Sequence, residues 1–307
     1  MTLRAVDHRV MPRRYSGPAL VVALAAVAFS VMAFSAGSGS AAEPPVSTNP
    51  ADIQAGDALF TAHCSSCHGN NGVGSVKAPA LINSGAAAAD FYLSTGRMPL
   101  AEPGDQAQRT RPFFKPPEIR QLVAYVNALP QINGQPNNTG PTIPSISPVC
   151  DTSGGAGNVA DAQKGDYGFE GAGGQGGALG GHGPGPCTTL AQGLQLFSLN
   201  CAQCHDASGS GGMLSKGNVV PSLKDATAVQ VAEAIRVGPQ PMPIFGPREL
   251  SDEQVSAISN YVQYLRKPAD RGGLGIAHFG PVPEGFVGIV IGLFIMLVAT
   301  RLIGTRE

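Results

Sequence analysis

Apolar positions recur with a helical period at two places in this 307-residue chain. Ile119, Leu122, Val123, Val126 and Leu129 keep to one face at i, i+3, i+4, i+7 spacing, and Val255, Ile258, Tyr261, Val262 and Leu265 repeat the arrangement. Both stretches read as amphipathic helices. Pro116 and Pro117 stand where the first should begin, a place where proline is tolerated. Ser251 and Gln254 form a capping box at the head of the second. Runs of β-branched residues alternating with period two are scarce, so the expected fold class is all-α.

Two further apolar stretches are continuous rather than periodic. Ala19 to Phe34 carries no charge, follows Arg4, Arg9, Arg13 and Arg14, and leads into small residues at 35–42. This is the layout of a signal peptide or signal anchor over residues 1–42. Phe286 to Ala299 is uninterrupted and continues through Leu302 and Ile303 past Arg301. It predicts a transmembrane helix over residues 284–304, with Arg301 snorkelling to the interface. Arg301 and Arg306 on its far side put the C-terminus in the cytoplasm and the rest of the chain outside the plasma membrane.

Between the two periodic helices, residues 131–187 are rich in Gly, Pro, Ser and Asn. Such composition cannot bury enough apolar surface for a core of its own, so a linker is expected. Charge adds little. Residues 51–130 hold six acidic and six basic side chains, and residues 188–270 hold seven and six. There is no basic excess for nucleic acid, and the totals offer no one-sided field to steer a diffusing partner. That balance fits domains held in place by membrane anchors and a complex.

The chemistry lies in two short motifs. Cys64, Cys67 and His68 form one C-x-x-C-H sequence, and Cys201, Cys204 and His205 form a second. Two thiols on one helical turn can form thioethers to the two vinyl groups of a haem, and the adjacent imidazole then meets the iron. Structural zinc is the bland alternative, but the two pairs lie far beyond the usual zinc-ribbon spacing. A thioredoxin-like pair would sit near a βαβ pattern, and none is present. Neither alternative accounts for a His directly after both pairs.

An internal repeat surrounds these motifs. Gly56, Leu59, Phe60 and Cys64 match Gly193, Leu196, Phe197 and Cys201 at one constant offset. Ala78, Pro79 and Leu81 answer Val220, Pro221 and Leu223; Gly96, Met98 and Pro99 answer Gly238, Met242 and Pro243. Tyr125 and Tyr261 occupy equivalent places in the closing helices. A repeat of this length is a duplicated domain rather than a solenoid.

Each half resembles a small class I cytochrome c domain, placed at residues 50–130 and 188–270. The resemblance implies that Gly56 and Phe60 cross against Tyr125, and Gly193 and Phe197 against Tyr261. It implies two covalently bound haem c groups, with His68 and Met98 as axial ligands of one iron and His205 and Met242 of the other. Met98 lies 30 residues beyond His68 and Met242 37 beyond His205, each followed by proline. Met213 is the rival in the second half, in a Gly-rich setting. Pro79 and Pro221 would accept a hydrogen bond from the proximal imidazoles; loop punctuation is the other reading of these prolines. His63 is expected to face solvent, and His182 and His278 receive no ligand role. Four cysteines assigned to thioethers leave Cys150 and Cys187, whose pairing an extracytoplasmic compartment permits. Their disulfide would close a loop of ~38 residues, worth about 2–4 kcal/mol.

The whole architecture resembles the dihaem cytochrome c subunit of the actinobacterial bcc-type menaquinol:cytochrome c reductase. That resemblance implies a membrane-anchored electron carrier working with cytochrome b and a Rieske iron–sulfur protein. Electrons would enter at the first domain and leave from the second to the copper centre of a terminal cytochrome c oxidase. The chain shows no side-chain constellation for covalent or acid–base catalysis. Two alternatives belong to other classes: the cytochrome subunit of a periplasmic dehydrogenase, and a dihaem peroxidase, which needs a vacant or displaceable distal position that the matched Met98 and Met242 would fill.

Overall fold

A computed structural model describes residues 45–150, 156–157, 187–266, 268 and 281–304. The expected N-terminal segment, the Gly-rich run at 171–183, His182 and His278 lie outside the described residues.

The first half starts with α1 (Pro50–His63), whose first turn is capped by the Asn49 side chain accepting from the Ala51 N–H at 3.0 Å. It runs directly into the one-turn helix α2 (Ser65–His68), then α3 (Gly85–Ser94), and closes with α4 (Pro116–Ile132). The Glu118 carboxylate accepts from the Lys115 N–H at 2.8 Å, fixing the head of α4 beside the two prolines. The second half follows the same order: α5 (Leu190–Asn200), α6 (Ala202–His205), α7 (Ala228–Val237) and α8 (Asp252–Arg266). At the head of α8, Ser251 and Gln254 bond reciprocally, as the capping box requires. Among the described residues, strand is confined to two-residue pairs, β1 (Val149–Cys150) with β2 (Ala156–Gly157) and β3 (Gly212–Met213) with β4 (Val219–Val220).

In each half the first and last helices cross at a glycine. A Cβ on Gly56 would lie 2.1 Å from the Gln121 carbonyl oxygen, and one on Gly193 would lie 2.3 Å from that of Ala257. One turn on, Phe60 meets Tyr125 with ring centroids 5.1 Å apart, and Phe197 meets Tyr261 at 5.5 Å. Helix backbones approach this closely only where no side chain intervenes, and the tilted ring pairs fill the seam beside the crossing. Two apolar cores result, one around Phe60, Leu122 and Leu129, the other around Phe197, Ile235 and Ile258.

Helices α3 and α7, which periodicity did not reveal, pack against each other and so join the halves. The Gln106 side-chain amide donates to the Val219 carbonyl at 3.0 Å and accepts from the Val219 N–H at 3.3 Å. Arg109 donates to the Asp225 carbonyl at 2.8 Å and to Gln230, whose amide reaches Ser94.

The expected linker differs from expectation at its start. Among the described residues, 141–150 form a strap that uses both neighbouring cores. Ala87 N–H donates to the Pro141 carbonyl at 3.0 Å; Ile143 packs on the first core and Ile146 on the second. Asn260 donates to the Ser147 carbonyl at 2.8 Å and to the Thr188 hydroxyl at 3.0 Å. Cys150 and Cys187 are disulfide-bonded beside this point, where the Cys150 N–H donates to the Thr188 carbonyl.

The last element, α9 (Pro281–Gly304), exposes Phe286, Ile289, Phe294, Ile295 and Leu297. Among the described residues it is the one helix long and apolar enough to cross a membrane, over Gly285–Gly304.

Alanine in a helix interior ordinarily stabilises relative to glycine. At Gly56 or Gly193 the added methyl must push the helices apart, so Gly56→Ala and Gly193→Ala should each destabilise by about 1–3 kcal/mol. Gly212→Ala, where a Cβ meets nothing within 4 Å, should change stability by less than about 0.5 kcal/mol. Urea titration of the three variants checks the contrast.

Candidate haem sites

Helix α1 ends at His63, and the chain turns tightly so that α2 presents the motif. The His68 N–H donates to the Cys64 carbonyl at 2.9 Å, and that of His205 donates to Cys201 at the same distance. Both imidazoles are oriented from behind. His68 Nδ1 lies 2.8 Å from the Pro79 carbonyl oxygen, and His205 Nδ1 lies 3.2 Å from that of Pro221. A carbonyl only accepts, so Nδ1 carries the proton and Nε2 keeps its lone pair for a metal. Burial pushes the pKa of His205 down, with the Pro221 bond opposing, which favours the neutral imidazole that metal binding needs.

Cys64 and Cys201 sit at the inner ends of the motifs. Their thiols are pushed up to about 11, by burial first and by Cys67 and Cys204 respectively. A thioether does not ionise, so conversion to one removes that conflict between burial and charge.

Met98 packs against the first core, as does Cys64, and Met242 packs against the second with Cys201. In the first half, Cys64, His68, Pro79 and Met98 line a single cavity of about 690 Å³ whose remaining wall includes Phe60, Leu81, Leu93, Leu122 and Val126. That is a volume and lining suited to a flat, largely apolar cofactor. Next to Met98, the buried Arg97 guanidinium stands 5.0 Å over the Phe91 ring. Its Nε and Nη1 find no hydrogen-bond partner among the described residues. Buried cations need acceptors, and the propionates of a haem are acceptors of that kind. The residues present therefore fit the group.

Met213 lies in β3 with 79% of its surface exposed, away from the core that Met242 joins. His63 is exposed and edges against Phe113 and Phe114 at 5.6 and 5.3 Å. Arg97 directly precedes Met98, and no sequence pattern singled it out.

Comparison with known proteins agrees with this layout. Residues 53–130 match the family model for cytochrome c, and residues 188–262 match that for cytochrome c oxidase, cbb3-type, subunit III. The cytochrome bc1 complex cytochrome c subunit of Mycobacterium tuberculosis is 33% identical over 98% of this chain and 94% of its own length. The subunits of the same name from Mycobacterium leprae and Corynebacterium diphtheriae are 34% and 31% identical, each over 83% of this chain and over 75% and 81% of their own. This chain belongs to that family. A cytochrome c subunit of this kind carries covalently bound haem c and transfers electrons.

Met242→His should lower the potential of one haem sharply, because replacing a thioether by imidazole favours the ferric state. Met213→Leu should leave both potentials in place. Redox titration of the two variants checks the assignment.

Proposed function

We propose that this chain carries two haem c groups, one per half, and passes electrons from a Rieske iron–sulfur protein to the copper centre of a terminal oxidase, within a menaquinol:cytochrome c reductase that includes cytochrome b. The observation that carries the reading is the match to bc1-complex cytochrome c subunits over nearly the whole chain. Residues 50–130 form the electron-accepting domain and residues 188–270 the donating one. The likeness of the second half to a subunit of a cytochrome c oxidase supports that direction.

Bound haem supplies a one-electron couple; the protein supplies everything that tunes and places it. Cys64, Cys67, Cys201 and Cys204 hold the groups covalently. His68 and His205 are the proximal ligands, held in one tautomer by the Pro79 and Pro221 carbonyls. Met98 and Met242 would complete the coordination, which would leave no position for oxygen or peroxide. Helix α9 anchors the chain, and Arg301 with Arg306 keeps its end cytoplasmic and the haem domains outside. The Cys150–Cys187 disulfide suits that oxidising side.

A tagged chain should co-purify with cytochrome b and a Rieske protein. Recovery with a quinoprotein dehydrogenase instead would contradict the proposal. Cys64→Ser/Cys67→Ser should retain one covalent haem by mass spectrometry; retention of two, or of none, would contradict the one-per-half assignment.

A further inference from the structure

We propose that the first haem site is a composite one, closed by two apolar side chains of the second half, Val237 and Ile244. The inference rests on the reading that Cys64, Cys67 and His68 hold a haem. Both residues line the same cavity as Cys64, His68 and Met98, although they lie beyond the second motif in sequence.

Their surroundings set them apart from their neighbours. Met242 and Phe245 pack on the second core, whereas Val237 and Ile244 do not take part in it. Ile244 leaves 67% of its surface exposed, a large apolar area turned toward the cavity of the other half. Covering such a side chain with a porphyrin face removes both from water, and each square ångström so buried is favourable.

The wall is preformed. Gly238 adopts φ +62° at the end of α7, and a Cβ there would lie 2.4 Å from Ile244 Cγ1 and 2.8 Å from the Ile244 nitrogen. The chain therefore turns back closely enough to set Ile244 beside Val237. The Phe245 N–H donates to the Ile235 carbonyl at 2.9 Å. Arg236, itself lining the cavity, clamps the same loop by donating to the carbonyls of Phe245 at 3.0 Å and Leu250 at 2.7 Å, and to Asp252. The contacts of Gln106, Arg109 and Gln230 hold this wall against the first half.

Two consequences follow. The second half excludes water from the first haem, which favours the ferrous state, since a ferric haem carries the extra positive charge that low polarity disfavours. The segment Met242, Pro243 and Ile244 also serves both halves, packing its first residue on the second core and lining the first cavity with its last.

The test is redox titration of the full chain in detergent, with the first potential identified as the one that Met98→His displaces. Val237→Asp should lower that potential and Val237→Lys should raise it, with the second potential moving less in both. Loosened packing alone would move both variants the same way, by admitting water, so opposite shifts report charge placed at the haem. Ile244→Asp and Ile244→Lys, on the loop rather than the helix, provide the same pair should the helix variants fail to accumulate. An unmoved first potential, shifts of one sign, or a larger shift at the second haem would overturn the composite site. A wild-type chain without covalent haem at Cys64 and Cys67 would overturn it together with the haem reading. Predicted shifts in a chain that does not bind cytochrome b would leave it standing and remove only the proposed partners.

Discussion

Where the first and last helices of each half cross, Gly56 and Gly193 leave no room for even a methyl group between the backbones. Everything chemical in the chain hangs from that contact. Because α1 is fixed against α4 at Gly56, its C-terminal end delivers Cys64 to the core that also receives Met98. The same relation between α5 and α8 at Gly193 brings Cys201 to the core that receives Met242. In the first half the crossing thus sets His68 and Met98 on one cavity although 30 residues separate them in sequence. Wider spacing would cost packing energy and also displace the candidate ligands from one another.

Much of this is legible in the amino-acid sequence, for a physical reason. Glycine at a crossing, an aromatic one turn later and a closing helix of period 3.6 are local signals, and duplication printed them twice. Helices α3 and α7 were not legible. Gly85–Ser94 is so rich in alanine that apolar and polar faces hardly contrast, and Ala228–Val237 is only 10 residues long. The strap at 141–150 was hidden as well. Its prolines and serines predict a linker, yet Ser256, Asn260 and Thr188, distant in sequence, satisfy its backbone. Long-range satisfaction of this sort leaves no periodic trace.

The same limit applies to the candidate sites. Cys64, His68, Cys201 and His205 stand out by spacing alone, and Pro79 and Pro221 lie against the imidazoles that their matched positions suggested. Arg97, Val237 and Ile244 do not stand out, because an arginine before a methionine and two aliphatic residues after a helix have no distinctive pattern. What marks them is context: two buried guanidinium nitrogens without a partner among the described residues, and an apolar side chain exposed toward the cavity of the other half.

Joining the halves through α3, α7 and the strap matters because electron transfer between bound groups depends on their being held, rather than on meeting. Two candidate haem sites held in one compact unit would remove diffusion from that step. The most direct measurement is rapid reduction of one haem in the purified chain, followed by the spectral change of the second, over a tenfold range of chain concentration. First-order kinetics with a rate independent of concentration is the expected result. A rate that rises in proportion to concentration would show electrons passing between separate molecules and would contradict a wire built into one chain.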